Sequence, residues 1–445
     1  MAPGRTLLLA VDGLDEHDIV VLRADPAPRP HLTALLEAPP AARIRPGGTS
    51  DPAPALVSLM TGEPAGSTGV GTGTPFLPEH PGRQGAWYAS ALRVPTLLDE
   101  AARAGLVTAA LQWPATAGAP LDLCLPLVED LAAHRTRWDM AEATSSPRMV
   151  AEHLAPRRAA GVQLSQVPPD ALVAEIAAEA LAAGRIDLTA VRLTGLGTVR
   201  RTEGLGSAAA RRTLPDTADA LEQTLGAFAP QPDDLVLLIP GRPLVPTTLL
   251  VHPNTALARE DLLRTEGTLL ASYRAVVHPD GPRGIVHVHR EEGFAVREGA
   301  LSTLEALCRD HARAQAEAHT QNGTRSLDGT RSEDGDRGSG GTLTLRRVED
   351  GEGATATTDV IGVLEGGPGT AIGCSATHRV LVDGADPYRA GPWAVTDPSA
   401  PVLVRGMGPG LPGTGRPGDV PEGSWAEIGR SLAAALGLSR TPVAS

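Results

Sequence analysis

The apolar run Thr6–Val11 (TLLLAV) halts at Asp12-Gly13, and that abrupt stop limits the folds open to this chain more than any other feature. A strand without a charge on either face is buried on both sides, the condition of a parallel strand inside an α/β sheet. Ligands of such sheets sit beyond the carboxyl ends of the strands, where Asp12 stands. The pattern then repeats. A helix over Pro54–Thr61 is expected, with Asp51 as N-cap, Pro52 at the first helical position and Gly62 as its stop. Further helices are expected at Val94–Ala104, Pro169–Ala183 and Pro215–Phe228, and further strands at Leu106–Leu111, Leu188–Leu193 and Asp234–Ile239. Strands and helices alternating at this spacing predict an α/β fold, a doubly wound, mostly parallel sheet sandwiched by helices.

Composition removes several chemistries. The chain has no lysine, so all 39 basic residues are arginine. A Schiff base, a pyridoxal phosphate anchor and a P-loop lysine are therefore excluded. The bias itself fits a GC-rich bacterial genome. With three Phe and three Tyr, the core must be built from Ala, Leu and Val. A formal charge of −13 without a basic stripe argues against nucleic acid and anionic membrane surfaces as partners. Cys124, Cys308 and Cys374 are far apart and odd in number, which fits a reducing cytoplasm better than a disulfide framework. No apolar segment approaches the ~20 residues of a membrane helix.

Four regions are expected. Residues 1–247 form the first part of the α/β core, and 248–319 form a strand-rich insertion containing Gly284–His289. Residues 320–341, polar and Gly-rich with a doubled GTRSxDG, form a disordered linker, and 342–445 return to the core with a final strand and helix.

LLLAVDGLDEHDI, the ARIRP stretch leading into ALVSLMTGEPAGSTGV, and LLDEAARAGLVTAALQWPA together resemble the type I phosphodiesterase/nucleotide pyrophosphatase branch of the alkaline phosphatase superfamily. The tail, APVLVRGMGPGLPGTG with EGSWAEIGRSLAAALGL, is similar to the last strand and helix of that superfamily. The resemblance implies an α/β sandwich with two divalent metals, usually zinc, held by Asp and His at strand ends. A Thr or Ser at a helix start would attack phosphorus. Two cations clamp an in-line displacement, and a helix N-terminus favours the charge of a phosphate.

Position by position, the resemblance implies a frame stripped of its donors. Asp12 falls on the family's first metal-binding aspartate. Pro52 falls on the nucleophile and Ala55 on the phosphate-holding asparagine. Gly197 and Arg201 stand where an Asp-then-His ligand motif belongs, and Pro240 and Gly241 replace the Asp-His pair of an Asp-His-Gly motif. A shift of two residues makes Ser50 or Thr49 the nucleophile instead. His378 stands in for a late histidine ligand, and His287 and His289, two apart on a strand, have the spacing of a metal pair. Charge compensation for Asp12 is expected from Arg201, and Asp51 is expected to fill the phosphate position at the helix start with its own carboxylate.

Three functional readings follow. The first is a pseudoenzyme that acts as a binding or regulatory scaffold for a small molecule or protein and carries no cofactor. The second is an active hydrolase of phosphate mono- or diesters with relocated ligands for zinc or manganese. The third is metal-free acid–base chemistry from Asp12, Asp15, His17 or Asp18.

Overall fold

All six residues of strand β1 (Thr6–Val11) are buried, Leu7, Leu9 and Val11 in the core on one side of the central sheet and Leu8 and Ala10 in the core on the other. Alternation of side chains across a strand explains how one uninterrupted apolar hexapeptide serves both cores. The computed structural model describes residues 4–45, 51–73, 76, 85–130, 134–164, 168–267, 269–325, 342–348, 357–386, 391–397, 399–409 and 420–438. Thr49, Ser50 and most of the expected linker, 326–341, lie outside them.

The chain divides into two compact units, Met1–Pro243 with Ala400–Ser445, and Leu244–Ser399. The first unit carries an eight-stranded sheet. Its other strands are β2 (Pro40–Ile44), β3 (Thr108–Leu111), β4 (Leu123–Leu125), β5 (Leu188–Leu193), β6 (Leu235–Pro240), β7 (Val402–Met407) and β8 (Glu422–Gly423). The order is β8-β2-β7-β6-β1-β5-β3-β4, parallel throughout except that β7 runs against both its neighbours. Helices cover both faces, so the expected doubly wound sandwich is the architecture of this unit. Strand β1 lies between β5 and β6, with Ala10 opposite Arg192 and Val11 opposite Pro240, and so brings the ends of three strands together.

Local signals place the helices around that end. Helix α1 (Glu16–Ala24) starts in a capping box in which the carboxylates of Asp15 and Asp18 each accept from the other's backbone amide at 2.9 Å. The acidic cluster there, expected as a source of acid–base chemistry, is the start of a helix. Helix α2 (Pro52–Thr61) has Asp51 as N-cap, accepting from the Ala53 amide at 2.7 Å, and ends at Gly62 in the left-handed region. Helix α3 (Asp170–Ala183) is followed by β5 and then by α4 (Gly195–Glu203), where the sequence suggested only the end of a strand. Helix α5 (Ala208–Phe228) starts seven residues before the expected Pro215, which it carries in its interior. Ser207 caps that earlier turn, and burial of Ala210 and Leu214 rewards it. Helix α6 (Trp425–Ala435) closes the unit from a Ser424–Glu427 capping box.

The second unit contains a four-stranded antiparallel sheet in the order Ala275–Asp280, Arg283–His289, Thr358–Gly366, Leu343–Arg347. Its first hairpin turns at Gly281, φ 62°, after Asp280, a strong hairpin signal. The strands after residue 342 pair within this unit, and the chain re-enters the first unit at Ala400. The helix Phe294–Arg325 runs six residues into the expected linker 320–341. Among the described residues, no helix is long and apolar enough to cross a membrane.

Candidate functional site

Strand β1 delivers Asp12 to the carboxyl end of the sheet, its amide bonded to the Leu193 carbonyl at 2.9 Å and its side chain buried. The neighbouring strand β5 carries Arg192, which is buried beside it. The two form a bidentate pair, Nε donating to Oδ1 at 3.1 Å and Nη2 to Oδ2 at 2.7 Å. Burial opposes the guanidinium's charge, yet the Asp12 carboxylate, backed by Asp51 and Asp170, lifts its pKa above the ordinary arginine value. Arg192 is thus a permanent cation fixed on the carboxylate that a metal would use.

This corrects the expected Asp12–Arg201 pair. Arg201 lies on the second turn of α4 and lines the small cavity beside Asp12. The residue before it, Arg200, turns inward to the Gly13 carbonyl at 2.7 Å and to both oxygens of Asp18, at 2.7 and 2.6 Å. Arg192 reaches Asp12 because their strands are hydrogen-bonded neighbours. Asp170, the first residue of α3, accepts from the amides of Thr194 and Gly195 and so caps α4. Burial pushes its carboxyl up to about 6, against those hydrogen bonds and with the repulsion of Asp12.

Backbone fills the space at the positions where the resemblance places ligand donors. A Cβ at Gly197 would stand 2.8 Å from the Cβ of Asp12, and one at Gly241 would stand 2.5 Å from the Gly13 nitrogen. Gly241 also donates to the Val11 carbonyl at 2.8 Å. Gly13, with φ 77°, meets the Gly197 Cα at 2.7 Å from its own would-be Cβ. Three glycines therefore let α4 and the end of β6 close directly onto the end of β1. What remains beside Asp12 is a cavity of about 30 Å³, whose walls include Pro52, Ala55, Pro240 and Gly241. That space suits a water molecule or two, far less than two cations and a phosphoryl group.

Zinc does not fit this donor set. The Asp12 carboxylate at the strand end is already chelated by a guanidinium, and Pro52 offers no hydroxyl at the start of α2. Among the described residues, no three His, Cys, Asp or Glu side chains gather where they could hold a metal ion. His378 lies in the second unit, where it hydrogen-bonds Ser375 and stacks on His252 with ring centroids 5.3 Å apart. His287 is buried with Nδ1 3.2 Å from the Thr358 hydroxyl, while His289 is tilted against Tyr273, so their chain spacing does not make them a chelating pair. Burial, then the neighbouring His278, pushes His287 down to about 3, and burial, then His378, pushes His252 down to about 4.

The fold and the strand end that presents Asp12 define the class: an alkaline-phosphatase-like α/β protein. The chain belongs to the type I phosphodiesterase/nucleotide pyrophosphatase family, whose model matches residues 6–236. Among solved structures it is similar to murine ectonucleotide pyrophosphatase/phosphodiesterase 5, described as an inactive form in complex with AMP, at 13% identity and a TM-score of 0.53 over 99% of this chain and 96% of that one. It is similar also to phosphonoacetate hydrolase from Sinorhizobium meliloti 1021 in complex with phosphonoformate, at 15% identity and a TM-score of 0.53 over 98% and 96% of the two chains. At these identities the likeness is one of fold. No curated protein sequence matches the chain.

Proposed function

We propose that this chain is a non-hydrolytic member of its family that works as a binding or regulatory scaffold in the cytoplasm, its ligand a small molecule or protein. The observation that carries the reading is the bidentate Arg192–Asp12 pair. A buried guanidinium holding both carboxylate oxygens does the electrostatic work that a bound cation would do, without providing a Lewis acid or an activated nucleophile. The glycine closures at Gly197 and Gly241 support the same reading, because they occupy the room a donor side chain needs. Asp15 and Asp18 are committed to the α1 cap and to Arg200, which argues against their use in acid–base turnover. Three unpaired cysteines fit a reducing compartment.

The test is elemental analysis of the purified protein beside turnover of p-nitrophenyl phosphate and bis(p-nitrophenyl) phosphate with added zinc or manganese. The expected result is neither stoichiometric metal nor turnover. Stoichiometric metal with turnover would overturn the proposal, and loss of that turnover in Ser50→Ala or Thr49→Ala would identify the nucleophile of a phosphoric ester hydrolase with relocated ligands.

A further inference from the structure

Beside the closed strand end the first unit keeps a much larger cavity, about 420 Å³ against about 30 Å³ at Asp12. It lies between the outer side of α2 and the start of α6, and the two spaces share Ala55, Arg242 and Trp425 as walls. Its volume falls in the range of small-molecule sites, roughly 300–1,000 Å³. Ile44, Pro54, Ala55, Pro64 and Ala65 give it apolar sides. Two arginines, Arg45 and Arg242, are its cationic wall residues. The single carboxylate in the wall, Glu427, is turned into the α6 cap, accepting from the Ser424 amide at 2.6 Å and hydroxyl at 2.9 Å. The same cap satisfies the N-terminus of α6, so that terminus is not the anion site.

The weak pairing of Arg45 points to an anionic occupant. Among the described residues Arg45 pairs with Glu422, 3.4 Å away, with both side chains largely exposed, at 72% and 61%. A pair of that kind contributes little and exchanges readily for a better-placed anion.

We propose that this cavity is a binding site for an organic anion with a flat apolar body: a carboxylate or phosphate head at Arg45 and Arg242, the body against Pro54, Ala55, Ala65 and Trp425. The inference deepens the binding role proposed above. A carboxylate probe that no phosphoesterase can turn over keeps the two separately testable, since turnover of phosphate esters would sink the non-hydrolytic reading and leave the site standing.

The experiment is isothermal titration calorimetry of the full chain with 2-naphthoate and with 2-naphthol, which differs by lacking the anionic head. The expected result is saturable 2-naphthoate binding, with 2-naphthol at least about tenfold weaker because it forms no charge-assisted hydrogen bonds. Ala65→Trp, which fills the cavity, is expected to abolish binding, and Arg45→Gln, at an exposed residue whose loss leaves the fold intact, to weaken it about fivefold or more. Absence of 2-naphthoate binding, equal binding of the two probes, or undiminished binding in both variants would each overturn the proposal.

Discussion

Removing Arg192 tests whether it stands in for a metal. Arg192→Met keeps much of the volume and the apolar stem but leaves Asp12, whose side chain is 7% exposed, without its partner. Stranding one member of a buried ion pair costs about 3–5 kcal/mol, far more than the pair itself contributes over an apolar replacement. Asp12→Asn lowers the penalty of removing Arg192, so the double variant Asp12→Asn/Arg192→Met should recover a large part of the loss. A double-mutant cycle should therefore give a coupling energy of about 2 kcal/mol or more. Unfolding in guanidinium, followed by intrinsic fluorescence with Trp113 buried in the first unit as a reporter, measures all four corners. If Arg192→Met unfolds within about 0.5 kcal/mol of the unaltered protein, or the cycle shows no coupling, the guanidinium is not what neutralises Asp12 and the argument fails.

Other consequences follow from the same geometry. Gly197→Asp returns a carboxylate to a ligand position, but the close approach to Asp12 predicts a loss of about 2 kcal/mol or more and no zinc uptake by equilibrium dialysis; stoichiometric zinc binding by this variant would count against closure. Asp170, with a carboxyl at about 6 instead of 3.8, stabilises the fold in its protonated form, a contribution present below pH 3.8 and lost as pH rises through 6. Asp170→Asn should thus gain on the unaltered protein by up to about 3 kcal/mol between pH 4 and 7, and a pH-independent difference in denaturation midpoint would refute it. His252, a base pushed down to about 4, stabilises the fold as the neutral ring, so that contribution is present above pH 6.5 and lost as pH falls toward 4. Amide exchange in the second unit should accordingly show weaker protection, after correction for intrinsic rates, on acidification across that window, and His252→Phe should flatten the change.

Much of the scaffold was legible because its signals are local. The ranges of β1 and β5 were readable to the residue, since an apolar hexapeptide bounded by polar residues leaves little freedom of register. Helix α2 was announced by Asp51, Pro52 and Gly62, each doing what its backbone preferences require. Helices α1 and α4 were hidden for a shared reason: their first turns look like loops, one through an acidic run and the other through Gly195 and Gly197. The expected compensation of Asp12 by an arginine was right in kind and misplaced in residue. A signal was available, because Arg192 interrupts the otherwise uncharged strand LTAVRL, and a charge in a doubly buried strand demands a partner at the same sheet end. What the sequence could not reveal is the cavity at Arg45 and Trp425, since its walls come from residues up to 383 positions apart in the chain.

The meeting of Gly13, Gly197 and Gly241 also bears on whether a metal site could be built at this strand end. A Cβ at Gly13 would meet Gly197, one at Gly241 would meet Gly13, and one at Gly197 would meet Asp12, so a side chain added at any of the three meets the chain packed against it. No single substitution rebuilds a ligand set, and each one taken alone lowers stability before any benefit exists. A metal site there would require helix α4 and the end of β6 to withdraw together while new donors arrive. On the proposed reading the closure behaves as a ratchet: with these segments settled on β1, changing what the protein binds is easier than building a reaction there.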